Sequence, residues 1–284
     1  MTEFHIPSMS SGPGSQPAEE DGAELDILQL PSEMETFSTP DLPEPEETVG
    51  LTAGMAALEQ LQEVLNSYGR SRPEVDISDL DDANRALIDQ VLGEGEVSAV
   101  YSNSYEARIQ ESVLAGIWRV KYLDQHGTVV RDVIEVAPIP NLVAGSTFKE
   151  AAGRLMLKDG SIPEGVLNAP PLVSEINDKV AECRPGKPPH VINLTLLPQT
   201  EEDLAFLSGL LGEGPVTILS RGYGNCRITS TATEHVWWVQ YYNSQDANIL
   251  NSIEIGGVPE VACAAPEDIR DSAERFAEIM EVYR

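Results

Sequence analysis

The residues of this chain that could do chemistry are three cysteines, four histidines and a basic glycine loop, Arg221-Gly-Tyr223-Gly-Asn-Cys226. A zinc or iron–sulfur site wants two to four cysteines or histidines at short spacing, because all of them must reach one centre. Cys183, Cys226 and Cys263 are scattered, and the chain contains no CxxC and no HxxxH. Cys226 therefore reads as a partly buried structural thiol, with a redox or metal role as its alternative. His126, His190 and His235 have neither a thiol nor a paired carboxylate beside them, and no Gly-x-Ser-x-Gly elbow is present. The Arg221 loop lacks the Gly-Lys-Ser/Thr ending of a phosphate loop. Gly93-x-Gly95 and Gly212-x-Gly214 follow helices and precede strands, the reverse of a dinucleotide turn, and read as caps and turns. Carboxylates are too abundant for one pair to stand out as an acid/base couple. The expectation is a protein that is not an enzyme, with no catalytic, cofactor-binding or metal residue.

The elements that hold these residues occur twice. LGEGEV at Leu92–Val97 returns as LGEGPV at Leu211–Val216, and Arg108, Trp118, Val120, Tyr122, Glu135 and Pro140 return at an offset of 119 as Arg227, Trp237, Val239, Tyr241, Glu254 and Pro259. A register held without gaps through so many bulky residues marks a duplicated unit. Helical spacing over Leu51–Tyr68, a short strand at Val75–Ile77 and a helix over 79–92 capped by Ser78 precede the first copy. Strands are expected at Val97–Tyr101, Arg108–Val113, Gly116–Leu123 and Val129–Val136, with a short helix at Thr147–Met156. The second copy repeats the order: a helix at Leu172–Cys183, a strand at Val191–Leu196, a helix capped by Thr200 and running to Leu211, strands near Val216–Ser220, Asn225–Thr231, His235–Tyr242 and Ile249–Ile255, and a last helix opened by Pro266. The fold class is α+β: two pseudo-symmetric lobes, each of helices and a mainly antiparallel sheet. The boundaries are an acidic, proline-rich extended arm at 1–50, a first lobe at 51–160 and a second at 161–284.

Comparing the copies separates core from surface. Alternation in strand 116–123 puts Trp118, Val120 and Tyr122 on one face and Ile117, Arg119 and Lys121 on the other, which two cations make the wetter. Trp238, at the place of Arg119, then sits on that wetter face, either packed at a contact between lobes or under the N-terminal arm, or exposed as an anchor for a partner. Arg108 with Glu135, and Arg227 with Glu254, are expected to pair across their sheets.

Net charge is −29, with 14 Asp or Glu and no Lys or Arg in residues 1–69. Such a balance excludes nucleic acid and anionic membrane surfaces as main partners. No apolar run approaches the roughly 18–20 residues of a membrane span, and no export signal is visible, so a cytoplasmic protein without membrane insertion is expected. The acidic stretch Leu25–Glu47 carries Leu28, Met34 and Phe37 among its acids, which fits a solubilising tail or a docking arm for a basic segment.

GPGSQ (Gly12–Gln16), PSEMETFSTPDLPEPEE (Pro31–Glu47), the paired LGEG blocks and GYGNCRITST…VWWVQYYN (Gly222–Asn243) resemble the HupH/HyaF/HoxQ family of nickel–iron hydrogenase expression and formation proteins. The resemblance implies a cytoplasmic accessory protein, a chaperone for the hydrogenase small subunit precursor, acting alongside a thioredoxin-like accessory protein. The alternative it leaves open is an iron–sulfur cluster carrier or scaffold. It supplies no catalytic or metal-binding residue. Candidate partner-binding residues are Trp238, Arg221, Tyr223 and Cys226 on the lobes and Leu28, Met34 and Phe37 on the arm.

Overall fold

Alternating apolar and polar residues in two blocks of four strands, each with one further short strand, build one ten-stranded antiparallel sheet. The structure, a computed structural model, describes residues 42–69, 74–157, 162–222 and 224–283. In chain order the elements are α1 (Thr52–Asn66), β1 (Glu74–Asp76), α2 (Asp82–Leu92), β2 (Val97–Ser102), β3 (Glu106–Glu111), β4 (Ile117–Leu123), β5 (Val129–Val136) and α3 (Asn141–Ser146). Then follow α4 (Ala169–Glu182), β6 (His190–Asn193), α5 (Glu201–Leu211), β7 (Val216–Ser220), β8 (Asn225–Ser230), β9 (Val236–Tyr242), β10 (Asn248–Ile255) and α6 (Pro266–Val282). The class is α+β. The strand order β1-β5-β4-β3-β2-β7-β8-β9-β10-β6 reads as one five-strand order and its mirror, joined where β2 pairs with β7.

Three cores follow from this sheet. On its inner face Trp118, Val120, Trp237 and Val239 pack under α3 and the segment around Val261–Cys263. On the outer face, α1, α2 and α6 cover the first half, whereas α4 and α5 cover the second. The chain's closing segments cross over. After α3 the chain reaches the second half, where Ala152 bridges Thr233 and Leu155 N donates to Asn177 Oδ1 at 2.8 Å. After β10 it returns to the first half, where Ile269, Phe276 and Met280 of α6 are buried.

Glycines make the turns between helix and sheet. Gly93 and Gly212 end α2 and α5 with φ of 57° and 65°, and a Cβ on Gly95 would meet Ser112 O at 2.2 Å, one on Gly214 Ser230 Oγ at 2.4 Å. Several expectations shift in detail. The cap of α2 is Asp81, whose side chain accepts from Asn84 N at 2.8 Å, while Ser78 turns away to Asp76 and Asp132. The helix expected at Thr147–Met156 forms earlier, at Asn141–Ser146, because Pro140 starts it and the following residues are drawn out toward Asn177. The strand expected to reach Leu196 stops at Asn193, whose side chain accepts from Leu196 N and turns the chain into a 3-10 turn.

Candidate functional site

The candidate residues divide between the two faces of the sheet. Cys226, Ile228 and Ser230 of β8 alternate with Arg227 and Thr229, so Cys226 looks into the inner core while Trp238, registered with Thr229, looks outward. Trp238 is half-buried against the α4–α5 core, and its indole Nε1 donates to Asn251 Oδ1. It packs within its own half, against the helical layer, and stays partly exposed. The face expected to be the wetter one is covered: Ile117 is fully buried, and Arg119 is 8% exposed. Arg119 can lie there because Asp132 accepts from its Nε and Nη2, and Asp89 of α2 accepts from Nη1 at 2.6 Å.

The expected Arg–Glu pairs do not form, because the pleat puts the partners on opposite faces. Arg108 is exposed and lies 3.1 Å from Glu106. Glu135 is buried on the inner side and accepts from Asn141 N and Nδ2 at 2.9 and 3.0 Å. In the second half Arg227 stacks over Tyr242 at 5.7 Å. Glu254 stays inside, where burial and nearby Glu260 raise its carboxyl.

Around Cys226 the thiol is hydrogen-bonded to the Tyr241 side chain; burial pushes the Cys226 thiol up to about 11 and the Tyr241 hydroxyl up to about 12. Burial also pushes Cys263 up to about 11, with Glu260 and Glu111 adding to it. Both thiols are therefore protonated at neutral pH, poor states for a nucleophile or a metal ligand. The first half fills the corresponding end of its inner face with aromatics: Tyr105 stacks on Tyr101 at 5.2 Å and meets Tyr122 at 6.0 Å. At the offset of 119 the second half has Gly224 and Ser220 in place of Tyr105 and Tyr101.

Arg221 follows β7, and its N–H donates to Glu96 O at 3.1 Å. The Glu96 carboxylate lies against Gly222, where a Cβ would come within 2.0 Å of it. Tyr223, Leu28, Met34 and Phe37 lie outside the described residues. The structure thus brings Arg221 and Cys226 to one hairpin and places Trp238 on the other side of the sheet. A cleft of about 220 Å³ beside β6 is lined by Lys179, Glu182, Cys183, Lys187 and His190 among others. Two of its polar groups are engaged locally, Lys179 Nζ with Glu182 at 2.9 Å and His190 Nε2 with Glu175 at 2.7 Å. Among the described residues no group of three or more His, Cys, Asp or Glu is placed to hold a metal ion.

Two groups that sequence reasoning missed organise the halves. Asp203, fully buried, accepts from the amides of Leu167, Asn168 and Ala169 at 2.9 Å each and from Thr200 N at 3.1 Å. Burial alone raises its carboxyl, but these four donors outweigh it and hold the group well below the usual carboxylate range. The Thr200-x-x-Asp203 spacing was the available signal, since it is a capping box. Glu111, 8% exposed, accepts from Gly116 N at 3.1 Å, and burial raises its carboxyl to about 7.

The chain matches one family of known proteins along most of its length. The family described as "HupH hydrogenase expression protein, C-terminal conserved region" matches residues 53–157 and, a second time, 166–283. The chain is 46% identical over 283 residues to the hydrogenase expression/formation protein HoxQ of Cupriavidus necator, covering 99% of this chain and 98% of that one. It is 46% identical over 286 residues to HupH of Rhodobacter capsulatus, covering all of both chains. It is 33% identical over 288 residues to the hydrogenase-1 operon protein HyaF of Escherichia coli, covering 99% of this chain and 96% of that one. A solved structure of the hydrogenase expression protein HupH from Thiobacillus denitrificans is 32% identical, with a TM-score of 0.35, over 40% of this chain and 93% of that one.

Proposed function

The chain belongs to the HupH family of hydrogenase expression/formation proteins, and from that premise we propose that it is a non-catalytic accessory protein of hydrogenase maturation. It binds the iron–sulfur small subunit precursor of a nickel–iron hydrogenase as a chaperone in the cytoplasm, with a thioredoxin-like accessory protein as a further partner. The observation that carries the reading is the end-to-end match, at 46% identity, to proteins named for hydrogenase expression and formation. The two halves are read as copies of one unit, which the mirrored strand order and the double family match support. One copy then serves as a built-in reference for the other.

Charge supports a basic partner segment: the net charge is −29, and residues 1–69 carry no Lys or Arg. The acidic arm at 1–50 is proposed to reinforce the capture of such a segment. The competing reading, a cluster carrier acting through Cys226 or Cys263, has to overcome two thiols held up at about 11. The test is co-expression of full-length protein with small subunit precursor, followed by pull-down and iron analysis. Precursor should co-purify, and removal of residues 1–41 should weaken capture more at low salt than at high salt. A deletion should stop there, because Pro43 O accepts from Tyr283 Oη at 3.0 Å. No capture by the full chain would refute the chaperone reading. Stoichiometric iron lost on Cys226→Ser would favour the carrier.

A further inference from the structure

The outer layers of the two halves share a plan and end in opposite chemistry. In the first half Arg85 of α2 donates Nη2 to Ser78 O at 2.7 Å, and Arg119 joins Asp132 to Asp89 of α2. The residues 119 positions later are Leu204 for Arg85, Leu197 for Ser78, Trp238 for Arg119, Asn251 for Asp132 and Ser208 for Asp89. All four charges of this set are gone, although Glu201 stands at the place of Asp82 and Arg227 keeps the place of Arg108. Where Arg119 meets Asp132, Trp238 donates to Asn251.

The exchange leaves α5 apolar on more than one side. Leu87 and Val91 of α2 are buried, whereas Phe206 and Leu210, which hold their places on α5, are only half-buried, as is Leu204. Apolar side chains on a second face of a helix are stable when that face also meets a covering surface. At its start Leu167 is 71% exposed and Leu196 80% exposed. Their loops are pinned rather than loose, through Asp203 and through Asn168 Nδ2, which donates to Pro198 O at 2.6 Å. An apolar surface whose loops are held in place by hydrogen bonds is built to meet something.

The charge around it says what. Exposed acids Glu164, Glu201, Glu202 and Glu213 border the surface, and the stretches 159–178 and 188–220 contain no Lys or Arg. A second copy of this chain docked there would set like charges against each other, and a basic segment would gain from the same field.

We propose that the α5 face, from Leu167 and Leu196 to Leu204 and Trp238, is a docking surface for a segment of another protein that carries an apolar run flanked by Lys or Arg. The inference deepens the partner-binding reading above by naming the surface and the chemistry of what it takes.

The test uses the full chain and a labelled synthetic peptide with a leucine–alanine run behind two arginines, read by fluorescence anisotropy. Leu167→Ser with Leu196→Ser, both at exposed positions, should keep the wild-type Tm and weaken binding roughly tenfold or more. A second variant carries Leu204→Arg, Ser208→Asp, Trp238→Arg and Asn251→Asp, a set with which the first half already folds. It should abolish binding while circular dichroism stays native. Equal affinity of either folded variant overturns the proposal, as does equal binding of a control peptide with glutamates for arginines. Self-association of the wild type in ultracentrifugation, lost in the serine variant, would assign the face to a second copy and also overturn it. Failure of the proposed function is distinguishable: the full chain would then capture no small subunit precursor yet still bind the peptide.

Discussion

Replacing Asp203 by Ala should loosen the start of α4 and α5 together. The carboxylate accepts four backbone amides and caps α5 through its exchange with Thr200, whose Oγ1 accepts from Asp203 N at 3.0 Å. Losing a cap costs about 1 kcal/mol, and stranding buried donors costs roughly 1–3 kcal/mol each unless water reaches them. Allowing for partial rehydration, Asp203→Ala should cost about 3–5 kcal/mol in guanidinium melts followed by circular dichroism. Asp203→Asn keeps one oxygen for the amides but loses the charge and turns an NH₂ toward Thr200, for about 1–2 kcal/mol. The pH dependence has a definite sign. A carboxyl whose folded pKa is depressed contributes stability above its unfolded pKa near 4, and that stability is lost as pH falls through the folded value. The gap between wild type and the Asn variant should therefore be full at pH 7 and shrink below pH 4. Hydrogen exchange supplies the local readout, with the amides of Leu167, Asn168 and Ala169 speeding up at least about a hundredfold in the Ala variant. A cost under 1 kcal/mol with unchanged exchange at these amides would refute the reasoning.

Glu111 gives the opposite slope. Burial raises its carboxyl from 4.5 to about 7, against the pull of the Gly116 amide and with the help of Glu96 and Asp268, so the folded chain holds a proton that the unfolded chain releases. Glu111→Gln should be near-neutral at pH 4, gain stability from pH 4.5 to 7, and be about 2–3 kcal/mol more stable at pH 8; a pH-independent effect sinks this assignment. Arg119→Ala strands buried Asp132 and should cost about 3–5 kcal/mol, while Arg119→Trp with Asp132→Asn, the second half's own pair, should cost less by thermal melts. Native-state alkylation with mass spectrometry at pH 8 should label half-exposed Cys183 well before Cys226, whose thiol is buried; equal rates would remove the buried-thiol reading.

Much of the strand content was legible because each strand is short, alternating and closed by Gly, Asn or Asp turns; Val129–Val136 and Val216–Ser220 fall where the pattern puts them. Helix α5 was legible from Thr200 and Gly212. The faces were harder. Alternation tells which residues lie together but not whether a helix layer covers the second side, so Arg119 read as wet although two aspartates 13 and 30 residues away neutralise it. The same blindness paired Arg108 with Glu135, because retained opposite charges say nothing of pleat parity. The exchange of charge for leucine and tryptophan on α5 was present at the offset of 119. Its meaning needed the register that sets Trp238 beside Asn251.

The crossing of the closing segments bears on how such a chain is made. The ribosome releases residues in order, and the first half's outer layer waits for α6, which leaves after every strand of the sheet. Until Phe276 and Met280 arrive, α1 and α2 keep a seam of apolar surface open. A premature stop after β5 would leave that seam permanently unfilled, and a neighbouring chain's α6 would fit it as well as its own. The duplication thus yields two halves that each need the other's tail, and the first half cannot close until the second has been made.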